Sequence, residues 1–212
     1  MTRRMFVAGA LVAPLVLAAC SDDDTGSSAT GAGPSETGPS ETGLTPTPAC
    51  DDGDESNETL EQTEGPYFTL DSPEKADFSG DVDQGSPLVL TGTVVDTACR
   101  PVARAVVDFW HADADGQYDN DGYRLRGHQF SADDGAYALT TIVPGLYPGR
   151  TRHIHVKVQA PDGPLLTTQL YFPDEAGNAG DAIYDSALLM AITRGDPQRA
   201  SFTFVIRQAA TS

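Results

Sequence analysis

Between Tyr147 and His155 the chain reads Tyr-Pro-Gly-Arg-Thr-Arg-His-Ile-His. Two imidazoles one residue apart, with a phenol and a guanidinium just ahead, offer donors for a metal ion and a charge for an anionic ligand. Only four histidines occur in the whole chain, and two of them stand here. Downstream, apolar Ile154, Val156 and Val158 alternate with His153, His155 and Lys157. That period of two predicts a half-buried strand, on which His153 and His155 share one face. The bland alternative is a solvent-facing strand that carries histidine. Tyr147 upstream favours the metal reading.

The elements that must position these residues are short strands with turn punctuation. Leu88–Val95, Ala105–Trp110, Ala136–Val143, the histidine strand, Leu165–Phe172 and Ser201–Ile206 are each rich in β-branched and aromatic residues. Their spacing predicts an all-β fold, an antiparallel β-sandwich with long active-site loops and little helix. Near-helical spacing of Ile183, Tyr184, Ala187, Leu188 and Ile192 predicts one helix over Asp181–Arg194.

His111–Gly122 carries four aspartates and invites comparison with a calcium loop. An EF-hand needs oxygen ligands at positions 1, 3 and 5 and glycine at 6. Starting at Asp113 puts Gln117 at 5 and Tyr118 at 6, so the match fails and a solvated acidic turn remains. A different pattern holds. Trp110-His-Ala-Asp-Ala-Asp-Gly-Gln-Tyr118, Thr141-Ile-Val-Pro-Gly-Leu-Tyr147-Pro and Arg150-x-x-His153-Ile-His155 occur in that order. Flanking them are Glu64-Gly-Pro-Tyr-Phe68 and Thr168-Gln-Leu-Tyr-Phe172. Over roughly residues 60–175 the chain resembles the intradiol ring-cleavage dioxygenases, the family of catechol and protocatechuate dioxygenases.

The resemblance implies a non-haem ferric ion, Fe(III), held by Tyr118, Tyr147, His153 and His155. Phenolates are hard anionic donors suited to that ion, and imidazoles complete the set without adding charge. Tyr123 lies in the same loop as Tyr118 but lacks the Gly-x-Tyr context. By the same resemblance Arg150 faces the bound ring. Gln169 is either a residue near the site or a strand residue filling its hydrogen bonds, and Tyr67 either covers the pocket mouth or is a core aromatic. Arg152 is an added basic residue able to contribute to substrate binding. The implied substrates are a small aromatic diol and O2. The diol loses both protons and displaces Tyr147, which with a released hydroxide is a candidate base; the product is a muconate-type diacid containing both oxygen atoms. Two departures stand out: the segment from Tyr147 to His153 is shorter than in many members, opening one wall, and the helical amino-terminal dimerisation region is absent, leaving the oligomeric state open.

The remainder of the chain speaks to where it works. Met1–Cys20 has paired arginines, a short apolar run and Leu17-Ala-Ala-Cys20, a signal peptide with a lipobox that makes Cys20 the lipidation site. The expected location is outside the cytoplasm, anchored by lipid to the outer face of the cytoplasmic membrane or released. The paired arginines fit either the twin-arginine route or an ordinary secretory signal. Residues 21–58, rich in Ser, Thr, Gly, Pro and Asp, form a linker, and 59–212 the domain. Cys50 and Cys99 remain as an even pair in an oxidising compartment, and the expected disulfide between them contributes up to ~4 kcal/mol. Residues 59–212 hold 21 acids against 11 bases. Such a surface repels phosphate backbones and anionic lipid, which argues against nucleic acid and against membrane contact beyond the anchor. The competing function is a non-catalytic cell-surface β-sandwich that binds a sugar or a protein, for which no Tyr/Tyr/His/His convergence is needed. A structural zinc site fits poorly, because tyrosine is a rare zinc ligand.

Overall fold

A computed structural model describes residues 57–209; the proposed signal peptide, all but the end of the linker, and Cys50 lie outside the described residues. Among the described residues eight strands form two four-stranded sheets. They are β1 (Pro87–Asp96), β2 (Val106–Trp110), β3 (Arg126–Phe130), β4 (Ala136–Ile142), β5 (His153–Gln159), β6 (Leu165–Tyr171), β7 (Ala191–Thr193) and β8 (Gln198–Ile206). One sheet has the order β4-β1-β8-β7 and the other β3-β2-β5-β6. Alternation decides the core. Val107, Phe109, Ile154, Val156, Val158 and Leu170 of the second sheet join Leu88, Leu90, Leu139, Phe202 and Phe204 of the first in one buried cluster. Cys99 is disulfide-bonded.

Three details differ from the sequence reading. First, β1 and β8 run parallel, in an otherwise antiparallel set of named strand pairs. They are joined through most of the domain rather than by a hairpin, so nothing local imposes the antiparallel sense. Second, β3 is a strand although Arg-Gly-His-Gln-Phe lacks apolar alternation, because pairing with β2 over five residues fixes it. Third, Asp181–Arg194 is not a helix. A short 3-10 turn at Asn178–Gly180 precedes it, and the segment itself holds only the 3-10 turn Ser186–Leu188 and then β7. Asp181 and Asp185 accept hydrogen bonds from the backbone amides of Ile183 and Ala187, which competes with helical pairing. Met190 N–H then bonds the Tyr171 carbonyl and Ile192 pairs with Ala200, drawing the chain into extended form.

β5 is covered on both faces rather than half-exposed, and His153 and His155 are buried. The cover is the segment before β1. Gln62 N–H bonds the Thr167 carbonyl at 2.8 Å, Thr168 Oγ1 donates to Leu60 O at 2.7 Å, and His128 N–H donates to Pro73 O at 3.0 Å. Residues 60–73 thus form a strap across the outer face of this sheet, from β6 to β3. Glu64 pairs with Lys157 at 2.6 Å, and the Lys157 ammonium lies 4.3 Å from the Phe68 ring centre.

Candidate active site

Strand register builds the floor of the site. Trp110 of β2 is paired with Arg126 of β3 and His155 of β5, and His155 with Gln169 of β6. Arg126, Trp110, His155 and Gln169 therefore form one row across the outer face, under the strap. His153 follows two residues from His155, paired with Tyr171. The Trp110 indole stacks on the His155 imidazole with ring centres 4.8 Å apart and planes 8° off parallel. Gly65 of the strap closes over the same imidazole at φ +73°, where an added Cβ would come within 3.3 Å of His155 Cε1.

Onto this floor two loops bring phenols. Tyr118 Oη lies 3.1 Å from His153 Nε2, which is itself 3.1 Å from His155 Nε2. Tyr147 enters beside Tyr118, ring centres 5.9 Å apart, and its hydroxyl bonds that of Tyr67 at 2.7 Å. Tyr67 stacks on Tyr118 at 4.6 Å, so it is a wall of the site and not a core aromatic. The loops meet through glycines of the two motifs. A Cβ on Gly116 would collide with Leu146 O at 2.2 Å, and one on Gly145 with Ala114 O at 2.4 Å. Gly-Gln-Tyr and Pro-Gly-Leu-Tyr are needed as sequences because two backbones cross there.

These donors fit a hard trivalent cation. Thr151 O can only accept, so the 2.6 Å contact from His153 Nδ1 fixes its proton there and leaves the Nε2 lone pair facing Tyr118 and His155. Burial lowers His153 to about 4 and His155 well below the ordinary histidine value, so both imidazoles are neutral at pH 7. His155 turns Nε2 toward His153 at 3.1 Å, while its buried Nδ1, on the other side of the ring, has no partner among the described residues. Burial pushes the Tyr118 phenol well up, against the opposing charges of Arg150 and Arg126. A phenolate at that depth needs a cation beside it. Among the described residues no three His, Cys, Asp or Glu cluster for a metal, so the set depends on its phenols.

Arg150 and Gln169 come together behind the cluster: Arg150 Nη2 donates to Gln169 Oε1 at 2.7 Å, and Gln169 Nε2 donates to Thr63 O at 2.9 Å. Gln169 thus fills its hydrogen bonds and holds Arg150 as well. Arg152 does not join them. It precedes Ile154 on the opposite side of the alternation, pairs with Glu175 at 2.7 Å and bonds Pro144 O. It lines a separate groove of about 610 Å³ with Asp174, Glu175 and Arg194, whose charges are already paired. The structure thus sets Arg152, expected to contribute to substrate binding, apart from Arg150 and Gln169. Tyr123 bonds Leu70 O at 3.0 Å and stays at the surface.

Sequence reasoning missed Trp110, Arg126 and Tyr171 as parts of the site. Arg126 is buried, bonds the Tyr67 carbonyl, and donates through Nε and Nη2 to Asp119 O at 2.9 and 2.6 Å. No local signal marks it, since Leu-Arg-Gly resembles a turn.

Comparison with known proteins follows the same residues. The dioxygenase family matches residues 63–202. A hydroxyquinol 1,2-dioxygenase of Nocardioides simplex is 34% identical over 132 residues, covering 50% of this chain and 45% of that protein. A chlorocatechol 1,2-dioxygenase of Rhodococcus opacus is 30% identical over 166 residues, covering 64% and 62%. The chain thus spans only about half the length of these relatives. Among solved structures, the dioxygenase domain of a dioxygenase carbohydrate-binding protein fusion from Streptomyces sp. SirexAA-E is 51% identical. It superposes with a TM-score of 0.70, covering 72% of this chain and 100% of that one.

Proposed function

Because this chain belongs to the intradiol ring-cleavage dioxygenase family, we propose that it opens the ring of a small catechol-type diol with O2, giving a muconate-type diacid. The carrying observation is the convergence of Tyr118 Oη, His153 Nε2 and His155 Nε2 within 3.1 Å contacts, with Tyr147 alongside. In this reading those four residues hold a non-haem ferric ion. The ion would act as Lewis acid and template, drawing electron density from a bound catecholate so that its ring reacts with O2.

The chain's own residues supply the rest. Tyr147, as a phenolate, would take one of the two protons the diol loses, and its hydroxyl is set against that of Tyr67 at 2.7 Å. Arg150 faces the anionic ring with its Nη1, the one guanidinium nitrogen without a hydrogen bond among the described residues. The stacked Trp110 and the strap keep water from His155. We further propose that the protein is exported and tethered by lipid at Cys20.

Metal analysis of the purified protein tests the site: about one iron per chain and a visible tyrosinate band are expected. Both should vanish in His153→Ala and His155→Ala. Oxygen uptake is then measured across catechol, protocatechuate and hydroxyquinol. A colourless, iron-free protein inert toward all three would leave the binding-module reading in its place.

A further inference from the structure

One carboxylate outside the proposed ligand set touches two parts of the machinery at once. Asp181 Oδ2 accepts from Arg150 Nε at 2.8 Å and from Thr151 N at 2.9 Å, while Oδ1 accepts from Ile183 N at 3.1 Å. Its side chain is only 2% exposed and that of Arg150 20%, so the charge-assisted bonds to Arg150 and Thr151 are partly sheltered from water. Thr151 carries the effect onward. Its amide is held by Asp181, and its carbonyl receives the Nδ1 proton of His153 at 2.6 Å. On the other side, Arg150 Nη2 is taken by Gln169 at 2.7 Å and Tyr171 Oη at 3.4 Å. With Nε and Nη2 committed, the guanidinium plane has one orientation and presents Nη1.

We propose that Asp181 is the positioning residue of this site, aiming Arg150 and, through the Thr151 carbonyl, fixing which nitrogen of His153 carries the proton. The proposal rests on the reading of Arg150 and His153 given above. The short segment between Tyr147 and His153 gives it a physical motive. Only Pro148 and Gly149 separate the releasable phenol from Arg150, and Gly149 lies at φ +81° with nothing within 4 Å of an added Cβ. A loop so sparsely held cannot orient a guanidinium, and the clamp comes instead from the segment after β6.

Asn178 provides the internal control. It accepts from Thr151 Oγ1 at 2.7 Å and donates to Phe172 O at 3.0 Å, holding the same residue by its side chain without a bond to Arg150. A merely structural clamp would make the two residues equivalent.

The test compares Asp181→Asn, Asp181→Ala and Asn178→Ala in the full iron-loaded chain. Both Asp181 variants should bind iron but lose about 10–100-fold in kcat/KM for catechol, the carboxamide less than the alanine. Asn178→Ala should lose clearly less than either. A second readout is independent of turnover: the exchange rate of the Arg150 Nε proton in the metal-free chain, slow in the unaltered protein and faster in both Asp181 variants. If Asp181→Ala fails to fold, Asp181→Asn carries both measurements. Unchanged kcat/KM and unchanged exchange in the Asp181 variants would overturn the proposal, as would equal losses from Asn178→Ala. An unaltered chain that neither binds iron nor consumes catechol sinks the functional reading instead, and the exchange rate then decides on Asp181 alone.

Discussion

The two loops that carry the site's phenols are built unlike one another. The loop bearing Tyr118 is tied at every turn. Asp113 Oδ1 accepts from Asp115 N and Gln117 N at 3.0 and 2.9 Å, and Asp119 accepts from Gly122 N and Arg124 N at 3.0 and 2.9 Å. Arg126 then grips the Asp119 carbonyl from the sheet. The loop bearing Tyr147 is held at its base, where Gly145 N–H bonds Asp113 O at 2.7 Å, and little beyond it. Leu146 is 56% exposed, and Tyr147 O receives only the turn bond from Arg150 N at 3.0 Å. Local freedom follows the density of buried backbone bonds. That contrast is what the proposed roles require, with Tyr118 staying on the ion and Tyr147 leaving it.

Exchanging the two hydroxyls for hydrogen is the strongest way to break that contrast. Tyr147→Phe should keep iron with a shifted colour, yet form the substrate complex ~10²–10⁴ more slowly, the usual worth of a general base. Tyr118→Phe should keep a releasable Tyr147 and show an altered iron environment. Anaerobic stopped-flow mixing with catechol measures both. Fast binding in Tyr147→Phe beside slow binding in Tyr118→Phe would reverse the roles.

The next effect is on stability. Arg126→Met removes a buried guanidinium and leaves the Tyr67 and Asp119 carbonyls without those donors. Each buried acceptor left unpaired costs about 1–3 kcal/mol, so a loss of about 3 kcal/mol is expected in urea unfolding. Iron binding should weaken with it, since Asp119 adjoins Tyr118. A variant as stable as the parent, with undiminished iron affinity, would show that the Tyr118 loop is not held from the sheet.

How far the sequence carried these conclusions differs along the chain. The sandwich was legible because β1, β2, β4, β5, β6 and β8 alternate or run apolar over whole strands. Tyr118, Tyr147, His153 and His155 were legible as a group because three motifs hold them in fixed contexts. Arg126 and β3 were not, since a strand of Arg-Gly-His-Gln-Phe exists only through its partner β2. The burial of His155 was also hidden: Gly65, some ninety residues upstream, closes over it from a strap tied by Gln62, Thr63 and Tyr67. The place of Arg152 was not legible either, because its charge is visible in the sequence and its pairing with Glu175 is not. The helix expected at Asp181–Arg194 failed where aspartates bonded their own backbone, and one of those aspartates is the residue proposed to position Arg150.

The smallest expected effect concerns the tie between the two loop bases. His111 begins the Tyr118 loop; its Nδ1 lies 2.7 Å from Ala112 O, and its Nε2 lies 2.7 Å from Oγ1 of Thr141, where the Tyr147 loop leaves β4. The Ala112 carbonyl requires the proton on Nδ1, so Nε2 accepts from Thr141. Burial lowers this histidine from 6.5 to about 4. The folded state therefore excludes a proton that the unfolded state accepts, and the stability this gives is whole above pH 6.5 and is lost as pH falls toward 4. Each bound proton of difference is worth ~1.4 kcal/mol per pH unit. Aspartates 77, 96, 119 and 181 are all held below 3.8 and act at lower pH, whereas burial raises Asp108, which takes up its proton more readily in the folded state and opposes the histidines in this window, equally in both proteins. In the metal-free chain, His111→Gln should flatten the stability curve between pH 4 and 6.5 by about one proton. His153 and His155 are shifted in the same direction and keep the remaining slope. Urea midpoints at half-unit intervals of pH measure this. Parallel curves for the two proteins would mean that His111 titrates as it does in the unfolded chain, and that the loop bases are joined by something other than this imidazole.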